Sequence, residues 1–160
     1  MEHWTWWWTQ AAPAHGDDAV RRLDPLDPRL AGLLAQSKSV YLRPGDPRAI
    51  GWYGLTQGER LVACLAYEHH HPRVPHLASV VVDASSRRAG FGARLCGTAT
   101  ADLLHRGAPT VSLAMMTANT AAAALYRRLG FSPAGSFASG TLPGRRDVPV
   151  APGWSPGGQS

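Results

Sequence analysis

Lysine occurs once, at Lys38, so almost all of the 16 basic side chains among 160 residues are arginines, spread along the chain. No basic run alternates with aromatics, and no helix-turn-helix or ribonucleoprotein signature appears. The net charge of +5 therefore argues for an anionic ligand rather than a nucleic-acid partner. No apolar run approaches the ~20 residues of a membrane span. The N-terminus shows no basic n-region of a secretory signal. These two absences predict a cytoplasmic protein with no membrane partner. Cysteine occurs twice, at Cys64 and Cys96. Each falls inside a predicted strand or helix, which reads as a buried thiol in a reducing compartment.

Two phosphate-binding signatures are also missing. A P-loop requires Gly-Lys-Ser/Thr, and the chain has none. A dinucleotide fingerprint requires Gly-x-Gly-x-x-Gly, but Gly90 and Gly92 are followed by Leu95. What is present is a valine-rich strand ending Val80-Val81-Val82, then Asp83 to Ser86, then Arg87-Arg88-Ala89-Gly90-Phe91-Gly92-Ala93 at the start of a helix. A helix N-terminus offers main-chain N–H groups and the positive end of the dipole. The two glycines leave room for a phosphate to approach the backbone, and the two arginines add charge.

A second motif runs from Asn119 to Phe131. Ala122, Leu125, Tyr126 and Leu129 form one face of a helix, with Asn119 at the N-cap position and Gly130 at C′. Taken alone, this reads as an ordinary packed helix. Together, Arg-x-x-Gly-x-Gly after a strand and Asn-x-x-Ala-x-x-Leu-Tyr-x-x-x-Gly-Phe downstream resemble the GNAT acyltransferases, the Gcn5-related N-acetyltransferase superfamily. The resemblance is close over residues 76–131, looser over 20–75 and absent from both ends.

The resemblance implies an α/β fold, a mixed sheet with helices on both faces. The family's fourth and fifth strands splay apart to admit the pantetheine arm of coenzyme A. Here those strands are expected at 76–82 and 110–116. It implies acetyl-CoA as cosubstrate and direct acetyl transfer to a primary amine. The acceptor is a small molecule or a peptide or protein N-terminus. Main-chain N–H groups from Arg88 to Ala93 would hold the pyrophosphate. Backbone groups of the Val80–Val82 strand would hold the pantetheine amides, and Asn119 would both cap its helix and bind cofactor. Tyr126 stands at the family's general-acid position, and a phenol of ordinary pKa ~10 is protonated at neutral pH.

The base departs from the family's patterns. Ribosomal-protein N-terminal acetyltransferases carry a Glu five residues before the motif asparagine, where this chain has Ala114. The histone acetyltransferase branch carries a Glu six residues before the strand's last apolar residue, where this chain has His76. An imidazole can serve as a base directly or through water, so His76 is the first candidate and Glu68 the second. A water relay without a single base is the remaining option. Glu68, His69, His70, His71 and His76 also invite a metal reading, but a solvated loop beside the acceptor cleft fits the pattern better. The alternative to an enzyme is a non-catalytic acyl-CoA-binding or regulatory module, motivated by Ala114.

Elsewhere the pattern predicts a short strand at Val20–Leu23. A helix is opened by Asp27 and Pro28, with Leu30, Leu33 and Leu34 inward. Strands at 52–56 and 61–67 are joined by the Gln57–Arg60 turn, and a His-rich link covers 68–75. A helix runs from about Gly90 to His105, and one last strand falls within 131–142. The domain is drawn at 19–142, flanked by a Trp-rich arm at 1–18 and a disordered tail at 143–160. The alternating Trp4, Trp6 and Trp8 suggest an extended arm or strand covering an apolar surface. That surface is the domain's own core, the substrate cleft, a homodimer contact or a face left by a missing domain.

Overall fold

A computed structural model describes residues 2–11, 16–38 and 40–139. The tail expected at 143–160 lies outside them. The chain order is β1 (Glu2–Thr9), β2 (Val20–Leu23), α1 (Pro28–Leu34), β3 (Gly51–Gln57), β4 (Arg60–His71), β5 (Val74–Val82), α2 (Phe91–His105), β6 (Val111–Met116), α3 (Thr120–Arg128) and β7 (Ser132–Ser139). A short 3-10 turn, Ala84–Ser86, precedes α2.

All seven strands form one sheet in the order β2-β3-β4-β5-β6-β1-β7. The hairpin β3–β4 turns at Gly58, whose φ of +61° favours glycine. The His-rich link is corrected: residues 68–71 continue β4, and β5 returns from Val74. Glu68 pairs with His76 and His69 with Pro75. Histidine and glutamate signal strands weakly on their own, and cross-strand pairing decides their state.

The arm is corrected too. Glu2–Thr9 is the strand between β6 and β7, antiparallel to both, with Trp6 opposite Ala114 and Gly135. Strand alternation sends Trp7 (2% exposed) to one face and Trp6 (7%) to the other. The residue 18/19 boundary therefore does not separate an appendage from the fold.

Helices cover both faces. On one side, α2 and α3 bury Phe91, Leu95, Leu103 and Tyr126 against Tyr53, Leu65, Leu77, Leu113 and Trp7. On the other, α1 buries Leu30, Leu33 and Leu34 against Trp52, Cys64, Ala66 and Val81. Asp27 starts α1 as expected, its carboxylate accepting from Arg29 N–H at 3.0 Å.

The course of β5 departs from a regular strand in two ways. Between the pairs Ala66↔Ala78 and Cys64↔Val81 it carries one more residue than β4, a β-bulge, with Ser79 at φ +53°. The Ser79 hydroxyl takes the N–H of Leu42 at 2.7 Å and donates to its carbonyl at 2.9 Å, anchoring the 40–50 segment to the sheet. In addition, β5 runs parallel to β6 for two pairs only, His76↔Ser112 and Leu77↔Leu113. Beyond them the two strands part.

Candidate active site

The gap between β5 and β6 opens toward the C-terminal ends of both strands, where ligands of open α/β sheets characteristically lie. Each strand leads there into a helix. Asp83 begins the β5–α2 loop. Its carboxylate accepts from the Ser85 N–H at 2.9 Å and the Ser85 hydroxyl at 2.8 Å, and Arg60 donates to it at 2.6 Å. These bonds, the main-chain one first, hold its pKa at about 2. Arg88 and Gly90 then both take left-handed conformations, φ +68° and +75°. Gly90 is the N-cap and supplies no side-chain partner. The first α2 amide to close onto its own turn is Arg94, to Gly90 O at 3.1 Å. The N–H groups of Phe91, Gly92 and Ala93 precede it at the helix end. Arg87, Arg88, Ala89 and Gly90 are all exposed beside them. Main-chain N–H groups at a helix end, flanked by guanidinium groups, form an arrangement that could hold an anion.

Gly92 marks its inner wall. A Cβ placed there would meet Val82 Cγ2 at 3.8 Å and Leu125 Cδ2 at 4.0 Å, ordinary contacts. The protein itself has room for a methyl group, so nothing among the described residues requires glycine here. Gly92→Ala is therefore expected to leave thermal stability unchanged or raise it by up to ~1 kcal/mol through helix propensity. The same change should weaken coenzyme A binding about tenfold or more in calorimetric titration. Unchanged affinity would show that Gly92 does not border the ligand.

Val82 lines the gap with its main chain. Asp83 N–H bonds back to Val62 O of β4 at 2.8 Å, so by strand alternation the Val82 amide faces away from β4, toward the parted strand. The exposed Val80 lies at the bulge, while the Val81 side chain is buried under α1.

The β6–α3 mouth is capped from within. Asn119 Oδ1 accepts from Ala122 N–H at 3.0 Å, which confirms the expected N-cap. Tyr126 faces the α2 side of the sheet, 8% exposed, with its ring edge-on to Phe131 at 5.8 Å. Burial, followed by the neighbouring Cys96 thiol of α2, raises its pKa well above the ordinary phenol value. Burial likewise pushes both Cys64 and Cys96 up to about 12. Neither thiol is a ready nucleophile at neutral pH.

The opposite face of the gap carries a polar row that the sequence only partly announces. Glu68, His76 and Ser112 stand directly opposite one another on β4, β5 and β6. All three are buried. His76 Nδ1 lies 2.9 Å from Ser112 Oγ. The Trp6 ring sits 4.6 Å from the imidazole at 31°. Tyr41 donates to the Glu68 carboxylate, and burial, together with that charge, raises the Tyr41 pKa to about 12. Arg48 in turn donates to the Tyr41 hydroxyl at 3.3 Å. Ser112, Trp6 and Tyr41 are additions to the site. Ser112 gave no signal because a lone serine in an apolar strand has no motif, and Tyr41 reaches Glu68 only through the Ser79 anchor.

The structure thus brings the glycine loop, Val82 and the α3 start to one mouth. Tyr126 lies on one side of the sheet and the His76 row on the other. It does not gather the histidines. His69 pairs with Pro75 and its ring neighbours Tyr67, on the face away from Glu68 and His76. Among the described residues, no three His, Cys, Asp or Glu side chains are placed to hold a metal. Among them, too, no helix is long and apolar enough to cross a membrane.

Comparison with known proteins gives the arrangement a family. No protein of curated function matches the chain in sequence. Among solved structures, a putative GNAT-family acetyltransferase from Novosphingobium aromaticivorans superposes with a TM-score of 0.75 at 22% identity, over 84% of this chain and 61% of that one. This chain therefore spans about three fifths of that protein's length. The ribosomal-protein-S18-alanine N-acetyltransferase of Escherichia coli gives 0.59 at 24%, covering 69% of this chain and 75% of its own. A Bacillus subtilis acetyltransferase in complex with CoA gives 0.58 at 19%, covering 69% and 74%. The sequence pattern of the acetyltransferase (GNAT) family matches residues 2–131, beginning within β1 and ending just past α3. The chain belongs to the acetyltransferase (GNAT) family, a family of acyltransferases.

Proposed function

We propose that this protein transfers an acetyl group from acetyl-CoA directly to a primary amine. The observation that carries the reading is the parting of β5 from β6 just beyond Leu77 and Leu113, with an open helix N-terminus at its mouth. The pyrophosphate rests on the N–H groups from Arg88 to Ala93, with Arg87 and Arg88 beside it. The pantetheine arm threads the gap and bonds to the main chain of the Val80–Val82 stretch. Asn119 contributes its side-chain amide from the α3 cap.

The amine enters from the face that carries Trp6. His76 takes a proton from it, aided by the Glu68 carboxylate one strand away; Glu68 itself is the second candidate for the base. The amine nitrogen attacks the thioester carbonyl, the carbon–nitrogen bond forms and the carbon–sulfur bond breaks. Tyr126 gives its proton to the departing thiolate and regains one from solvent. The raised thiol pKa values of Cys64 and Cys96 support direct transfer, because neither forms a thiolate for an acyl-cysteine intermediate. Their unpaired state suits a reducing compartment such as the cytoplasm.

The acceptor is a small-molecule amine or a peptide N-terminus. The Escherichia coli neighbour is named for an alanine of ribosomal protein S18, and another, of 15% identity, is named an aminoglycoside acetyltransferase. Release of free coenzyme A thiol against a panel of amines and peptides tests the reading. Acceptor-dependent release that saturates with acetyl-CoA is the expected result. A second reading, a non-catalytic acyl-CoA-binding module, is favoured by the burial of Tyr126 beside Cys96. Tight coenzyme A binding without thiol release on any acceptor would select it.

A further inference from the structure

We infer that Ser112 is a positioning residue for acyl transfer: its oxygen accepts the Nδ1–H of His76 and leaves Nε2 as the imidazole's basic nitrogen. The inference rests on the reading of His76 as the base and adds the group that fixes its working tautomer. Ser112 is the sole polar residue of β6, whose sequence is otherwise Val-Leu-Ala-Met-Met. It is 2% exposed, so its hydroxyl requires a partner, and that partner is His76 Nδ1 at 2.9 Å.

The bond lies in the first of only two rows that join β5 to β6, one row before the point where they part. The pairing that fixes the strand register therefore also fixes the ring. Trp6 closes one side of the imidazole at 4.6 Å and limits its rotation. Among the described residues, the groups that face His76 include Glu68 from β4, Ser112 from β6 and Trp6 from β1. Behind Glu68 stands Tyr41 of the 40–50 segment, with Arg48 and Asp46.

The direction of the bond follows from proton counting. A protonated imidazole donates from both nitrogens, so a hydroxyl oxygen beside it has to accept. If Nδ1 also carries the proton in the neutral ring, the Ser112 bond is the same before and after proton uptake. Only the Nε2 position changes, and the Ser112 contact itself does not have to rearrange during the reaction. On β4, Glu68 stands directly opposite His76.

Two-bond ¹⁵N–¹H correlation spectra of histidine-labelled protein read the tautomer without any turnover. The wild-type protein is expected to show His76 protonated at Nδ1 when the ring is neutral. Ser112→Ala should lose that preference and lower kcat about tenfold or more, with KM for acetyl-CoA held within about twofold. The acid limb of its kcat/KM profile should move to lower pH, because the protonated ring loses an acceptor. Ser112→Thr, which keeps the oxygen, should restore both tautomer and rate. An Nε2-protonated ring in the wild type, or an unchanged ring in Ser112→Ala, overturns the inference. If His76→Gln still lowers kcat in that case, the reading of His76 as base survives alone. A His76→Gln variant with full activity removes the base reading, and the catalytic role of Ser112 with it.

Discussion

Deletion of residues 1–10 is expected to abolish cooperative folding. The segment supplies β1, and β7 has no other neighbour in the sheet order β6-β1-β7. Its loss would leave β7 detached and expose the edge of β6, an aggregation-prone state. It would also remove the buried Trp6 and Trp7. Truncating one buried tryptophan costs about 3–5 kcal/mol, against a total stability of about 5–15 kcal/mol for a domain. Thermal and urea melts of the truncated chain check this, and a cooperative transition within a few degrees of full length would contradict it. A milder version is Trp7→Ala alone, expected to remain folded at low temperature with stability reduced by about 3–5 kcal/mol. Its indole lies in the α2–α3 core with the Arg127 guanidinium 5.3 Å from the ring.

Replacement of Tyr126 by Phe is expected to lower kcat about 10²- to 10³-fold, the share typical of a positioned acid. Coenzyme A affinity should change by less than about twofold. Stability should hardly move, because the hydroxyl's neighbour is a thiol, a weak acceptor. The pH dependence has a definite sign. Burial raises the phenol pKa above its ordinary value, so the acid form persists through and beyond pH ~10. Activity should show no alkaline decline from loss of this proton below that pH. The stability that accompanies the raised value is present below pH ~10 and is lost as pH climbs through the folded-state value. Steady-state rates from pH 6 to 10, with titration of coenzyme A into both proteins, decide the matter. An unchanged kcat in Tyr126→Phe would remove this residue from thiolate protonation.

The local structure of the glycine loop and of the α3 cap was legible because its rules are local in sequence. A glycine loop between a strand and a helix, or an asparagine cap three residues before its N–H partner, is written within a few positions. Gly90 as N-cap and Asn119 bonded to Ala122 N–H obey such short-range rules. The acceptor side depends on which strands lie together, and neighbouring residues do not encode that. His76 stood out by its spacing from Val82, but Ser112 acquires meaning only when β6 is laid beside β5. The position five residues before Asn119 shows the same dependence. Ala114 sits opposite Trp6, two rows beyond Ser112 on the same face of the sheet. The tryptophan alternation correctly suggested extended backbone, yet nothing in residues 4–8 names β6 and β7 as partners.

The position of β1 sets the order of events during synthesis. The hydroxyls of Thr5 and Thr117 meet at 2.8 Å although they are 112 positions apart. Among the described strands, the first to be synthesised is thus one of the last to be paired. At about 5–20 residues per second, four tryptophans wait on the order of ten seconds for their partners. Such distant pairing makes folding slow and leaves an apolar strand open to wrong contacts meanwhile. Newborn chains should therefore depend on holding chaperones more than the finished protein's stability would suggest. A version permuted so that this strand is made last should fold with less such help.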